Sequence, residues 1–199
     1  MGTKRDWIGG NASVFKTIGA SNHSDEQRES HDFYATDIKS VEALLAHEHF
    51  APKIWEPACG EGNISKTLIK HGYEVRESDI IDRMGNEVKD FLFFNNETFD
   101  GDIITNPPYS KAKEFVEQSL KVIPDGNKVA MFLKITFLEG KARRALFQVA
   151  PPEKVLVFTE RQICPKNNDY SKYGNGSAMC FAWFIWTKGF KGKPTIDWL

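Results

Sequence analysis

The stretch Lys53-Ile54-Trp55-Glu56-Pro57-Ala58-Cys59-Gly60-Glu61-Gly62-Asn63 decides how the chain folds. Ile54 and Trp55 are the apolar part of a short strand over 53–57. Two glycines then turn the backbone into a helix, with Ile64, Leu68 and Ile69 on one face and Gly72 as its C-terminal stop. Strand, glycine turn and helix together bring bare backbone and a helix N-terminus up to a ligand. A Gly-x-Gly alone is a weak signal, and two acids strengthen it. Glu56 closes the strand four residues before Gly60, and Asp79 closes the next strand, 73–78, 17 residues past Gly62. An acid at that place is positioned to accept hydrogen bonds from ribose hydroxyls. Asp82, in the following loop, is the alternative.

Outward from this unit, strands and helices alternate. Before it, Asp37 is a plausible N-cap for an amphipathic helix carrying Ile38, Val41, Leu44 and Leu45, preceded by the aromatic stretch His31-Asp32-Phe33-Tyr34-Ala35-Thr36. After it, Val88 marks a third strand, and Asp90-Phe91-Leu92 offers a carboxylate and a ring to an adenine, or a solvated acid beside a core phenylalanine. Asp102-Ile103-Ile104-Thr105 is a fourth strand that ends at Asn106-Pro107-Pro108-Tyr109, since consecutive prolines cannot continue a central strand. Ser110 is expected to cap the helix that follows. Strands over 128–133, 154–158 and 178–187 complete the set, with a helix over 139–150 between the fifth and sixth and a polar tail after Gly189. The pattern predicts a doubly wound α/β sheet, whose ligand sits at the carboxyl ends of the first and fourth strands.

Composition bounds the rest. The chain has 199 residues, 41% hydrophobic and 27% charged, which fits one globular domain with a sizeable core. Residues 1–30 are polar and rich in Gly, Ser and Asn and read as a flexible N-terminal arm; 31–199 read as a single domain. The longest apolar run, 180–186, is too short to span a bilayer, and no signal-peptide pattern opens the chain, so a cytoplasmic protein without membrane association is expected. Cys59, Cys164 and Cys180 form no metal-spaced pair. Residues 1–100 carry 11 Lys+Arg against 18 Asp+Glu, a net −7, and residues 101–199 carry 15 against 9, a net +6. If this asymmetry is more than fluctuation, the carboxyl half faces a polyanion. The loop over 162–177, with Lys166, Tyr170, Lys172 and Tyr173, mixes cations and rings as a lid on a nucleotide substrate would.

The chemistry follows from the tip of the fourth strand. The sequence holds no Ser-His or Cys-His pair with nucleophile spacing, no metal-ligand spacing and no phosphate-loop Lys-Ser/Thr. Asn106 and the Pro107 carbonyl are two rigidly held acceptors, suited to the two N–H bonds of a planar amine or amide nitrogen receiving an electrophilic carbon. Tyr109 offers a stacking face, worth about 1–3 kcal/mol per base. The planar nitrogen of a nucleic-acid base or of a protein glutamine would serve equally.

Asn106-Pro107-Pro108-Tyr109 and Glu56-Pro57-Ala58-Cys59-Gly60-Glu61-Gly62 resemble the amino-methylating S-adenosylmethionine-dependent methyltransferases. Further matches run from Gly19 to Gly189: Gly19-Ala20-Ser21-Asn22-His23, Asp32-Phe33-Tyr34-Ala35-Thr36, Phe137-Leu138-Glu139, and Phe181 through Gly189. Together they are similar to the small phage and prophage N6-adenine DNA methyltransferases. The resemblance implies a Rossmann-like class I methyltransferase fold, with a seven-stranded, mostly parallel sheet, an antiparallel last strand and helices on both faces. It implies S-adenosyl-L-methionine as cofactor, contacted by Phe33, Tyr34, Thr36, Glu56, Ala58, Gly60, Gly62, Asp79, Asp90 and Phe91. Asn106, Pro107, Pro108 and Tyr109 would be catalytic. The partner implied is DNA, single-stranded or with a flipped base; protein partners are left unknown. Lys111, Lys113, Lys141, Arg143, Arg144, Lys166 and Lys172 would hold phosphates. The chain departs from the family in having Asp37 where Pro often follows the Thr, and in lacking room for a separate target-recognition domain.

Overall fold

The computed structural model describes residues 35–93, 97–162 and 179–199. The elements in order are α1 (Ile38–His47), β1 (Lys53–Glu56), α2 (Asn63–Lys70), β2 (Glu74–Asp79), β3 (Glu87–Val88), β4 (Asp102–Thr105), α3 (Ala112–Val122), β5 (Lys128–Lys134), α4 (Lys141–Val149), β6 (Lys154–Val157), β7 (Phe181–Thr187) and β8 (Thr195–Trp198). Short 3₁₀ turns occupy Phe91–Phe93, Tyr109–Lys111 and Ile135–Leu138. The proposed arm at 1–30, Phe33, Tyr34 and nearly all of the 162–177 loop lie outside the described residues.

All the strands belong to one sheet, in the order β3-β2-β1-β4-β5-β7-β6-β8. From β1 the chain winds outward to β2 and β3, then returns to lay β4 and β5 on the other side of β1. β7 enters between β5 and β6 and is antiparallel to both. Among the described residues the sheet has eight strands where the sequence suggests seven. The eighth, within the supposed polar tail, runs parallel to β6 and pairs Lys154 with Thr195 and Val157 with Trp198. Its four residues are all exposed at the sheet edge, so it lacks the one-sided apolar alternation of a half-buried strand.

Strand alternation divides the core. Trp55, Ile103, Val129, Met131, Phe184 and Trp186 pack on one face with α3, and Ile54, Ile104, Ala130, Phe132, Trp183 and Ile185 pack on the other with α1 and α2. Each fully buried aliphatic or aromatic side chain contributes about 1.5–3 kcal/mol, so both faces are strongly held. The buried indoles keep their polar tips satisfied: Trp55 donates to Ser78 Oγ at 2.9 Å and Trp183 to the Ser40 carbonyl at 2.8 Å.

Local expectations fare unevenly. Asp37 caps α1, its carboxylate accepting the Lys39 N–H at 2.9 Å. Gly72, at φ +88°, follows the end of α2. Ile38 and Ile69 are exposed rather than core-facing, because Ser40 and Thr67 take buried positions on their helices. Ser110 lies inside a 3₁₀ turn, and α3 begins after Lys111 without a side-chain cap. Gly101 is required by close approach: a Cβ there would stand 2.4 Å from the Lys53 carbonyl oxygen, where β4 enters beside β1.

Candidate active site

The strand order reverses between β1 and β4, and a cavity of about 220 Å3 opens at the carboxyl ends of these strands. Thr36, Glu56, Ala58, Asp79, Asp90, Phe91, Asn106 and Pro108 of the sequence-derived set line it. The remaining described members do not. Gly60 and Gly62 shape the turn behind it, Pro107 is buried in the strand tip, and Tyr109 faces a second depression.

The glycine turn is built by its backbone. Gly60 and Gly62 sit at φ +54° and +73°, conformations that cost a side-chain-bearing residue about 1–2 kcal/mol. Gly60 N–H donates to Asp79 Oδ2 at 2.9 Å, fastening the turn to the end of β2, and Ile81 N–H donates to Asp79 Oδ1 at 3.1 Å. A carboxylate has about four acceptor sites, so Asp79 keeps capacity for two hydroxyls. Asp82, the alternative, turns its carboxylate to the Met84 and Gly85 amides and is not on the cavity wall.

Glu56, the last residue of β1, is buried and accepts both the Ser65 N–H, at 2.8 Å, and the Ser65 hydroxyl at the start of α2. Burial holds its carboxyl well above the usual carboxylate range. The Ser65 donors oppose that shift, and the charges of Glu77 and Asp79 add to it. Among the described residues none of these three acids has an ion-pair partner. Burial, reinforced by the same acids, pushes the Cys59 thiol up to about 12, so it stays protonated at neutral pH and is no nucleophile. Acids and cations share the cavity wall, Glu56, Glu61, Asp79 and Asp90 beside Arg83, Lys89 and Lys111, and the buried Glu56 carboxyl, met by neutral donors alone among the described residues, is the group suited to a positively charged ligand.

Thr36 joins the two halves of the site. Its hydroxyl accepts from Asn106 Nδ2 at 3.0 Å, and its carbonyl accepts from Asn63 Nδ2 at 3.2 Å, so one buried threonine ties the strand tip to the glycine turn. Committing the Asn106 NH2 to Thr36 fixes the amide plane and leaves the oxygen as the acceptor end of the side chain. Phe91 serves two purposes: it meets Trp55 edge-on at 5.1 Å and Phe115 at 5.2 Å in the core, and it still lines the cavity. The Tyr109 ring is flanked by Phe181, at 6.0 Å, and by the Lys134 ammonium, at 4.8 Å.

Ile80, Arg83, Lys89 and Phe115 also line the cavity and are absent from the sequence-derived set. Ile80 directly follows Asp79, so its place at the end of β2 is a local sequence signal. Phe115 sits one turn into α3, where helical period marks it only as core. Of the cations assigned to phosphates, Lys111 lines the cavity, while Lys113 pairs with Glu117 at 3.1 Å, and Lys141 and Arg144 are exposed. Lys166 and Lys172 lie outside the described residues. Among the described residues no His, Cys, Asp or Glu cluster could hold a metal ion, and no helix is long and apolar enough to cross a membrane.

No protein-family model and no curated protein sequence matches this chain. Solved structures do. A proposed class I S-adenosylmethionine-dependent methyltransferase from Listeria monocytogenes aligns with 94% of this chain and 71% of its own at 12% identity and TM-score 0.55. A proposed RNA methyltransferase from Pyrococcus horikoshii aligns with 90% of this chain and 98% of its own at 13% identity and TM-score 0.56. A chain of a type I restriction-modification system covers 94% of this chain and 47% of its own, at 15% identity and TM-score 0.56. The architecture is therefore the Rossmann-like class I methyltransferase fold, extended by one edge strand.

Proposed function

We propose that this chain is an S-adenosyl-L-methionine-dependent methyltransferase acting on the N6 amino group of adenine in DNA. The observation that carries this reading is Asn106 on the cavity wall at the tip of β4, its NH2 held by Thr36 and followed by two prolines and a tyrosine.

Glu56, Ala58 and Thr36 would hold the cationic end of the cofactor, Asp79 its ribose, and Asp90 with Phe91 its adenine; Phe33 and Tyr34 enter only through the family resemblance. When bound, the cofactor supplies an electrophilic methyl group. The Asn106 side-chain oxygen and the Pro107 carbonyl accept the two N–H bonds of the amine, drawing its lone pair out of conjugation with the ring and toward the methyl group. Tyr109 stacks against the base, and Pro107-Pro108 keep both acceptors rigid. The nitrogen exchanges one proton for the methyl group, and that proton leaves to solvent. Burial pushes the Cys59 thiol up to about 12, which favours direct transfer over a covalent thiolate route. The distance between a stacked base in a duplex and a strand-tip pocket requires a single-stranded or flipped nucleotide.

The test is incubation with S-adenosylmethionine and single-stranded or duplex DNA, RNA, or protein, then digestion and mass detection. N6-methyl-2′-deoxyadenosine is the expected product. Methyl groups appearing only in RNA nucleosides or in glutamine would overturn the DNA assignment, and no transfer to any substrate would make the chain a silent cofactor-binding module.

A further inference from the structure

A second depression, of about 150 Å3, lies on the other side of the strand tip, at the carboxyl end of β5. Tyr109, Leu133, Lys134, Thr136, Phe137 and Arg143 form its walls. It brings two cations to the residue that stacks the base. The Arg143 guanidinium lies 5.0 Å from the centre of the Phe137 ring and donates Nη2–H to the Thr136 carbonyl at 3.1 Å. Its Nε–H is buried without an acceptor among the described residues, and no carboxylate pairs with it there. Leaving such a donor unmatched costs stability, a cost removed when a ligand brings the acceptor.

The backbone is shaped to let the guanidinium fold back. Gly140 sits at φ +106°, and a Cβ there would stand 3.1 Å from Arg143 Nη2. We propose that this depression is a phosphodiester subsite, in which Arg143, with Lys134 beside it, takes the backbone phosphate next to the nucleotide presented to Asn106. A guanidinium offers a planar fork that matches phosphate oxygens, and an aromatic face beneath it holds the plane in place. Among the cations of α4, this singles out Arg143 from the solvated Lys141 and Arg144. The inference rests on the nucleic-acid reading above.

The experiment measures binding of a short single-stranded oligodeoxynucleotide by fluorescence anisotropy over a range of salt, with S-adenosylhomocysteine present. For the wild type, log K falls with log salt by about 0.7 per phosphate contacted on a single strand. Arg143→Gln, which keeps an amide able to donate to Thr136, is expected to reduce that slope by about 0.7 and weaken binding several-fold at low salt. Lys193→Gln removes the same charge from an exposed site before β8 and is expected to change neither. Gly140→Ala removes no charge, so weaker binding there marks position rather than bulk electrostatics. Equal slopes for the wild type and Arg143→Gln, or no DNA binding by the wild type, would overturn the subsite. Methylation of the same oligonucleotide separates the two readings. Methylation with an Arg143-independent slope removes only the subsite, and an Arg143-dependent slope without methylation removes only the reaction.

Discussion

The two ends of the sheet carry acids in opposite condition. At the amino ends of β5 and β6, buried Glu48 receives Lys128 Nζ and Lys154 Nζ at 2.6 Å each. Burial alone would raise its carboxyl, but the two ammonium groups outweigh burial and hold it below the usual range. Beside it, Asp102 accepts the Ala51 and Lys128 amides and the Asn127 side chain, at 2.6, 2.7 and 3.0 Å. At the carboxyl ends, Glu56 is buried with only Ser65 as donor among the described residues and is pushed the other way. One end closes the fold with matched charge. At the other, among the described residues, Glu56 has neutral donors alone, an acid whose charge waits for a partner, and that mismatch falls at the cavity.

The largest expected effect of breaking this contrast lies at the binding end. Asn106→Ala removes one of the two acceptors proposed to align the amine, and loss of a positioned group of this kind is expected to lower turnover by about 10²–10³-fold. The cofactor affinity should stay within a few-fold, because the acids proposed to hold the cofactor are untouched. Steady-state methylation and calorimetric titration with S-adenosylhomocysteine check both halves; near-normal turnover would remove Asn106 from its role.

At the closed end the same size of cut should leave chemistry alone. Glu48→Ala strands two lysine ammonium groups and is expected to cost about 2 kcal/mol of stability, less than a fully buried pair because both lysines reach solvent. Urea midpoints measure it, with methyl transfer by the folded enzyme unchanged. Because the Glu48 carboxyl is lowered in the fold, its stabilisation is present above the ordinary carboxylate range and is lost as pH falls through the lowered value. The variant should therefore lose less stability than the wild type between neutral and strongly acid pH.

What was legible in the sequence follows the same divide. Strand ends with acids, and a strand stopped by two prolines, announce the binding end, because backbone rules there act over a few residues. The Thr36–Asn106 bond spans 70 positions and has no local signature. The Glu48 clamp is equally long-range, drawing on lysines 80 and 106 residues away. β8 escapes because an edge strand exposed on both faces reads as a polar tail; only its register on β6 reveals it. Arg143 reads as one more helix-surface cation until the turn over 135–138 places Phe137 beneath it.

The smallest effect, and the finest test of the contrast, is at Glu56. Near pH 4 the wild-type carboxyl and the amide of Glu56→Gln are both neutral, and both can accept from Ser65, so their stabilities should agree within about 1 kcal/mol. As pH rises, Glu56 ionises in the unfolded chain before it ionises in the fold. The folded state then holds the extra proton, and wild-type stability declines until pH passes the raised folded value. The amide has nothing to titrate, so the two curves should separate upward from about pH 4, with the variant the more stable. Saturating S-adenosylmethionine should narrow the gap, since a cation beside Glu56 favours its charged form; urea midpoints from pH 4 to pH 8, with and without cofactor, measure both. Parallel curves without cofactor would mean that Glu56 ionises as an ordinary surface acid, and the waiting charge at the carboxyl end would have to be sought in Glu77 and Asp79 instead.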